Sequence, residues 1–271
     1  PVIFKGRLYF YAQIFNEETT LIWSSSDGIE WRSEQFSPAL YLSPFTYKDK
    51  MLSFTDGFIW SSEDGIQWVK SKETEFSREM PIVHQEKLWL RKDQGGEDSY
   101  NPYAEIWTST DGENWKNERL EGSIYTENDF LGFADLLSFD DKLWIIAPNL
   151  GGFYTYTSNY IYSSSDGRTW QSQTNSLKCG ERSLYLENCS YTIFQDKFWQ
   201  VENAQLHYSK DGLNWLIIDE QLPFSTSYSL IVFEDQLWAF EGGSSWSSST
   251  GESWQLRSKD QEFDDNFNPF I

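Results

Sequence analysis

Histidine and cysteine are almost missing from this chain, with two of each in 271 residues. No pair of histidines stands at ligand spacing and no cysteine cluster exists, so a metal centre built on those side chains is not expected. A copper-radical oxidase, which needs several His and Tyr around its metal, is excluded on the same ground. No cofactor is expected. Bases are also scarce: 21 Lys and Arg face 42 Asp and Glu, leaving a net charge of −21. Binding nucleic-acid phosphate or an anionic membrane surface takes a basic face, so both partners are excluded. No apolar run approaches the roughly 18–20 residues that a membrane helix needs, and no membrane insertion is expected. Pro1-Val2-Ile3-Phe4 shows no charged leader before an apolar stretch, so no signal peptide is read there. A serine nucleophile elbow and a glycine-rich phosphate loop are missing too.

Aromatic side chains, by contrast, make up 18% of the chain, which argues against disorder. They recur in a repeat. One pattern reads IWSSSDGIEW at 22–31, IWSSEDGIQW at 59–68, IWTSTDGENW at 106–115 and IYSSSDGRTW at 161–170. Looser copies follow as LHYSKDGLNW at 206–215 and SWSSSTGESW at 245–254. The Asp column is Asp27, Asp64, Asp111, Asp166 and Asp211, with Thr250 in the sixth copy. The Gly column (Gly28, Gly65, Gly112, Gly167, Gly212, Gly251) and the Ser column (Ser25, Ser62, Ser109, Ser164, Ser209, Ser248) have no exception.

Asp-Gly between β-rich runs predicts a tight hairpin turn with positive φ, braced by the Ser and Asp side chains. This is a structural role, and six turn braces do not imply six active sites. A second motif precedes each hairpin, as in Glu86-Lys87-Leu88-Trp89 and Asp141-Lys142-Leu143-Trp144. Each unit therefore reads as four short antiparallel strands, A to D. Six such units predict an all-β, six-bladed β-propeller, with four antiparallel strands per blade. The expected extent is 1–262, with blades near 1–38, 39–77, 78–125, 126–178, 190–224 and 225–258. A tail at 263–271 carries Phe263, Phe267, Phe270 and Ile271, and is expected to pack on the seam between blades 6 and 1; a frayed terminus is the alternative.

The Ser-x-Asp-Gly-x-x-Trp element resembles the Asp-box turn of sialidase-type propellers, shortened by one residue between Asp and Gly. The Leu-Trp strand, followed in places by Gly-Gly (Gly95-Gly96, Gly151-Gly152, Gly242-Gly243), resembles the kelch repeat. Together they are similar to bacterial kelch-like propellers with WSSxDGxxW blades. The resemblance covers essentially the whole chain and implies the fold; one fold hosts many functions.

The repeat accounts for the tryptophans. Six follow the turn, four lie in strand C and four in strand B, which uses all 14. They read as packing between blades and lose their value as sugar platforms. His84 falls in a Phe/Tyr column and His207 in the strand C column of Trp23, Trp60, Trp107, Tyr162 and Trp246, so both read as aromatic substitutes.

Length varies only in the B–C and D–A connections, at 92–104, 117–134, 148–160 and 175–190. Loops on a rigid scaffold are where binding usually resides. The expected ligand face therefore lies over blades 3–5, with Tyr100, Tyr103, Asn149, Tyr154 and Tyr156 as candidate ligand-binding residues. Tyr160 and the acids Asp93, Glu97 and Asp98 stand on the same rim. Arg91 joins them, because its column is otherwise apolar (Tyr11, Phe54, Ile146, Val201, Phe240) and a buried Arg needs an anion, a carboxylate or water. An internal ion pair with a nearby acid is the alternative. Cys179 and Cys189 share one connection, which fits a disulfide and an oxidising, extracytoplasmic setting; two cytosolic thiols are the alternative.

No catalytic residue is assigned. A sialidase-like glycoside hydrolase wants two carboxylates and a cluster of Arg. The eight Arg include Arg7, Arg32, Arg119, Arg168 and Arg257 at turn or outer-strand positions, and no Arg-Ile-Pro entry motif is present. The expected function is a monomeric, non-catalytic propeller that binds a protein, peptide or glycan, with the hydrolase as the alternative.

Overall fold

A computed structural model describes residues 1–13, 19–77, 79–94, 103–118, 135–151, 155–174, 191–202, 205–218, 222–224, 230–241 and 243–259. Among them there is no helix, and every strand belongs to one of six four-stranded sheets. Blade 1 is β1 (Val2–Phe4), β2 (Arg7–Gln13), β3 (Thr20–Ser25) and β4 (Arg32–Phe36). Blade 2 is β5 (Phe45–Tyr47), β6 (Lys50–Thr55), β7 (Phe58–Ser62) and β8 (Val69–Glu73). Blade 3 is β9 (Ile82–His84), β10 (Lys87–Gln94), β11 (Tyr103–Ser109) and β12 (Lys116–Glu118). Blade 4 is β13 (Asp135–Phe139), β14 (Lys142–Gly151), β15 (Thr155–Ser164) and β16 (Gln171–Thr174). Blade 5 is β17 (Tyr191–Phe194), β18 (Lys197–Glu202), β19 (Gln205–Ser209) and β20 (Trp215–Ile218). Blade 6 is β21 (Ile231–Phe233), β22 (Gln236–Glu241), β23 (Ser244–Ser248) and β24 (Gln255–Ser258). Each sheet pairs its strands antiparallel in chain order, and the fold is a six-bladed β-propeller. Among the described residues, no strand is exchanged between the first and last blades.

The chain divides into two compact units: Pro1–Met80 with Leu222–Ile271, and Pro81–Gln221. The first holds blades 6, 1 and 2; the second holds blades 3, 4 and 5.

Within a blade, burial falls from the inner strands to the outer one. β3 and β6 are almost wholly buried, while β4 and β8 are almost wholly exposed. The B and C strands are covered on both faces, which is why they read as near-continuous apolar runs rather than alternating ones. All 14 tryptophans are described, and each is buried or half-buried. Trp89, Trp144, Trp199 and Trp238 each donate an indole N–H to a strand A carbonyl five residues back, at 2.9–3.2 Å. A Phe in that column would bury less surface and leave the carbonyl unbonded.

The turns differ from the sequence expectation in one respect. Two-residue hairpins with positive φ at both positions form the A–B connection in five blades, at Lys5-Gly6, Gln85-Glu86, Asp140-Asp141, Gln195-Asp196 and Glu234-Asp235, and the B–C connection of blade 2, at Asp56-Gly57. The Asp-Gly turn is longer, running in blade 1 from Ser26 to Trp31, and only its Gly takes positive φ. Asp27 works through its side chain. Oδ1 accepts the N–H of Ile29 at 2.8 Å, the N–H of Glu30 at 2.9 Å and the Ser25 hydroxyl at 3.0 Å. The Ser25 oxygen in turn accepts the Gly28 N–H at 2.8 Å. Equivalent carboxylate bonds recur at Asp64, Asp111, Asp166 and Asp211. A carboxylate that satisfies two loop N–H groups stabilises a six-residue turn without a left-handed Asp.

Blade 6 meets blade 1 by side-chain packing. Trp238 and Phe240 join Leu8, Phe10 and Phe233 in one cluster, with Trp23, Ile29 and Trp31 packed against it. The Ser245 hydroxyl also donates to the Gly28 carbonyl at 3.4 Å. The tail expected at this seam, 263–271, lies outside the described residues.

Candidate functional site

The antiparallel order places the A–B and C–D turns at one end of every sheet and the B–C and D–A connections at the other. The two ends differ in chemistry. At the A–B and C–D end, cations are tied into the frame. Arg7 donates to the Ser24 hydroxyl at 3.0 Å, and Arg257 donates to the Ser247 hydroxyl at 2.7 Å and to the Gln236 amide oxygen at 3.2 Å. Arg168, in the turn after β15, reaches Glu118 at the end of β12.

Glu118 is the most heavily bonded acid described. Its side chain is 4% exposed and accepts from Arg168 Nη2 at 2.9 Å, Lys116 Nζ at 3.2 Å, Lys87 Nζ at 3.3 Å and the Thr108 hydroxyl at 3.0 Å. Burial alone would raise its pKa. The bonds from Arg168, Lys116, Thr108 and Lys87 outweigh that and pull it from 4.5 down to about 2. This carboxylate is an anionic clamp between blades 3 and 4, with no proton to give near neutral pH. Sequence reading missed it because Glu118 and Arg168 are 50 positions apart. The one local sign is that Arg168 stands in a turn column occupied elsewhere by Ile29, Ile66, Glu113, Leu213 and Glu252.

At the B–C and D–A end, the first unit carries a cavity of about 310 Å³. Its walls are Pro1, Tyr11, Leu42, Ser43, Pro44 and Met80. Tyr11 comes from the B–C half of β2, residues 42–44 from the connection into β5, and Met80 from the connection into β9. The Tyr11 hydroxyl donates to the Gly65 carbonyl at 2.6 Å, and its ring packs edge-on against Trp68 at 5.7 Å. Burial pushes this phenol well above its ordinary pKa, with the nearby Tyr9 and Asp64 adding to the effect. Tyr11 is thus a neutral wall, not an activated nucleophile. Among the described residues, no histidine, arginine or carboxylate lines the cavity. The sequence signal for it was a proline directly before strand A in three blades, at Pro1, Pro44 and Pro81.

The candidates in blades 3–5 fall as follows. Tyr103 lies at the start of β11, paired with Gln94, and Asn149 and Tyr156 lie in β14 and β15. These positions were read as loop, and the structure corrects that. The B and C strands of both blades run on beyond the sheet as two-stranded hairpins, with a bulge in blade 4 between Asn149 and Leu150. The alternating Thr155-Tyr156-Thr157 run was the available signal, since Tyr and Thr favour a pleated strand. Tyr100 and Tyr154 lie outside the described residues, as do Cys179 and Cys189. Arg91 stands in β10 opposite Ile106, half-buried, with its Nε shielded from solvent. His84 and His207 are buried in β9 and β19, and burial lowers the pKa of each. His84 Nδ1 lies 2.8 Å from the Ser138 hydroxyl, so it bridges blades 3 and 4 as an aromatic substitute with one polar contact. Among the described residues, no group of three His, Cys, Asp or Glu could hold a metal ion.

A β-propeller whose B–C and D–A connections vary is the class defined by this arrangement. No protein-family model matches the chain, and no curated protein does. Solved structures do resemble it. Trypanosoma rangeli sialidase, as its covalent intermediate with 2,3-difluorosialic acid, aligns with 94% of this chain at 14% identity and a TM-score of 0.55. The same sialidase with sialic acid aligns at 16% identity and a TM-score of 0.52. PorZ, a bacterial surface component of the type-IX secretion system of Porphyromonas gingivalis, aligns with 93% of this chain at 12% identity and a TM-score of 0.50. The chain spans 52% of the sialidase and 40% of PorZ. At these identities the likeness is one of fold.

Proposed function

We propose that this chain is a non-catalytic binding propeller, kelch-like with Asp-box turns, that presents its B–C and D–A end to a protein, peptide or glycan. One observation carries the reading. Among the described residues, the cavity at that end has no carboxylate and no arginine in its walls, and its phenol is neutral and bonded to a backbone carbonyl. Glycoside hydrolysis wants paired acids, and a sialidase an activated tyrosine. Three of the described arginines are instead bonded at the opposite end of their sheets. The long hairpins of blades 3 and 4 supply the variable part of the ligand end. The net charge of −21 favours neutral or cationic ligands. A disulfide between Cys179 and Cys189 goes with an extracytoplasmic setting.

The second reading, a sialidase-type glycoside hydrolase, draws on the alignment with the Trypanosoma rangeli enzyme. One comparison separates the two. The chain is screened on a glycan array and against peptides, and in parallel is incubated with fluorogenic sialosides and other aryl glycosides. Binding without turnover is expected. Turnover that tracks the purified protein overturns the proposal in favour of the hydrolase. Two reactive thiols in denatured, unreduced protein would refute the disulfide and the extracytoplasmic setting with it.

A further inference from the structure

The outermost strand of a propeller blade is a sheet edge, with a row of main-chain N–H and C=O groups facing outward. Such edges invite strand pairing, and proteins commonly blunt them with charge. Five of the described outer strands follow that rule or are wholly polar. β4 carries Arg32 and Glu34, β8 carries Lys70, Lys72 and Glu73, β12 carries Lys116 and Glu118, and β24 carries Arg257. β16 is Gln-Ser-Gln-Thr.

β20 of blade 5 breaks it. The strand is Trp215-Leu216-Ile217-Ile218, with no polar or charged side chain. Among the described residues it ends its sheet, pairing only with β19. Trp215 turns inward, against Phe198 and Tyr191. Leu216 and Ile217 are 57% and 53% exposed, and as neighbours on a strand they project to opposite faces of the sheet. An added strand would therefore find an apolar contact on each face as well as the open main chain. This is the arrangement used in recognition by strand addition, where the main chain gives affinity and alternate side chains give selectivity.

We infer that β20 is a docking edge for an extended peptide segment of a partner, apolar at alternate positions and flanked by Lys or Arg. The charge argues for a basic partner: β20 itself is uncharged and the whole chain carries −21. It argues equally against a second copy of this chain. So does size, because a four-residue edge falls well short of the roughly 800 Å² per partner that a stable dimer buries. This edge lies on the outer strand of blade 5, apart from the residues that line the cavity, so it stands or falls independently of the ligand proposed there.

The test uses the full chain and a labelled peptide, Lys-Lys-Thr-Val-Thr-Val-Thr-Lys-Lys, followed by fluorescence anisotropy at low salt. The control peptide, Lys-Lys-Thr-Pro-Pro-Pro-Thr-Lys-Lys, lacks N–H donors on both edges of the strand and cannot pair. Binding of the first peptide is expected, with hydrogen-exchange protection confined to 215–218. The double variant Leu216→Lys/Ile217→Lys should weaken it at least tenfold while leaving the thermal midpoint unchanged, since both side chains are exposed. No binding overturns the proposal, as does equal binding of the proline peptide or equal affinity in the variant. A dimer of the chain that the same variant abolishes also overturns it, by assigning the edge to a second copy.

Discussion

The indole of Trp89 lies flat against Gly167, so close that a Cβ on that glycine would sit 2.0 Å from the ring. The same contact recurs where Trp238 covers Gly28 and Tyr9 covers Gly65. Gly167 also takes φ +71°. The invariant glycine thus answers to two demands, a left-handed backbone and a flat aromatic from the preceding blade. Gly6 has the same φ and open space where its Cβ would go. Gly167→Ala should therefore cost about 2–4 kcal/mol, combining backbone strain with overpacking, and Gly6→Ala about 1 kcal/mol. Urea denaturation midpoints of the two variants check this. Equal losses would show that the tryptophan contact contributes nothing.

Glu118 predicts an acid-labile seam between blades 3 and 4. Its folded pKa, about 2, is below the ordinary 4.5, so the unfolded chain takes up the proton first. The stabilisation is complete above pH 4.5 and is lost as pH falls towards 2. Its cationic partners are 31–68% exposed, so solvent screens the attraction. After that discount Glu118→Gln should lose about 1–2 kcal/mol at pH 7. The gap between the variant and the parent chain should close by about pH 2, read from denaturation curves at each pH. A gap that stays constant with pH would mean that shape, not charge, is what the variant removes.

The sixth turn has Thr250 where the others have Asp. Its hydroxyl accepts one loop N–H, that of Glu252 at 3.2 Å, where Asp211 accepts those of Leu213 and Asn214. Restoring the carboxylate with Thr250→Asp should stabilise the chain by about 0.5–1 kcal/mol, and Asp211→Ala should cost about 1–2 kcal/mol, by analogy with helix caps. Thermal unfolding of both variants tests the pair. A neutral Thr250→Asp would show that the sixth turn gains nothing from a second accepted bond.

Much of the frame was legible because it repeats. A pattern of Trp, Ser and Gly seen six times, with Asp in five of the copies, carries its own alignment, and strand order within each blade followed from it. The site was less legible. Tyr103, Asn149 and Tyr156 looked like loop because extra length between two strands reads the same whether it bulges out or extends the hairpin. Backbone pairing such as Asn149 with Ser158 decides between the two, and that pairing has no separate sequence mark. Tyr11 was visible only as one member of an apolar column, and Met80 as one residue before a proline.

The sequence by itself determined the repeat, the strands and the residues that brace each turn, because those depend on neighbours within about ten positions. Tertiary structure alone decided that the Asp-Gly turns hold through carboxylate bonds rather than through two left-handed residues. It also decided that Gly28, Gly65, Gly167 and Gly212 face aromatics of the preceding blade, and that Glu118 gathers Lys87, Lys116 and Arg168. The last two rest on contacts between segments tens of residues apart, set by how one blade lies on the next. The pattern of a single blade does not encode that distance.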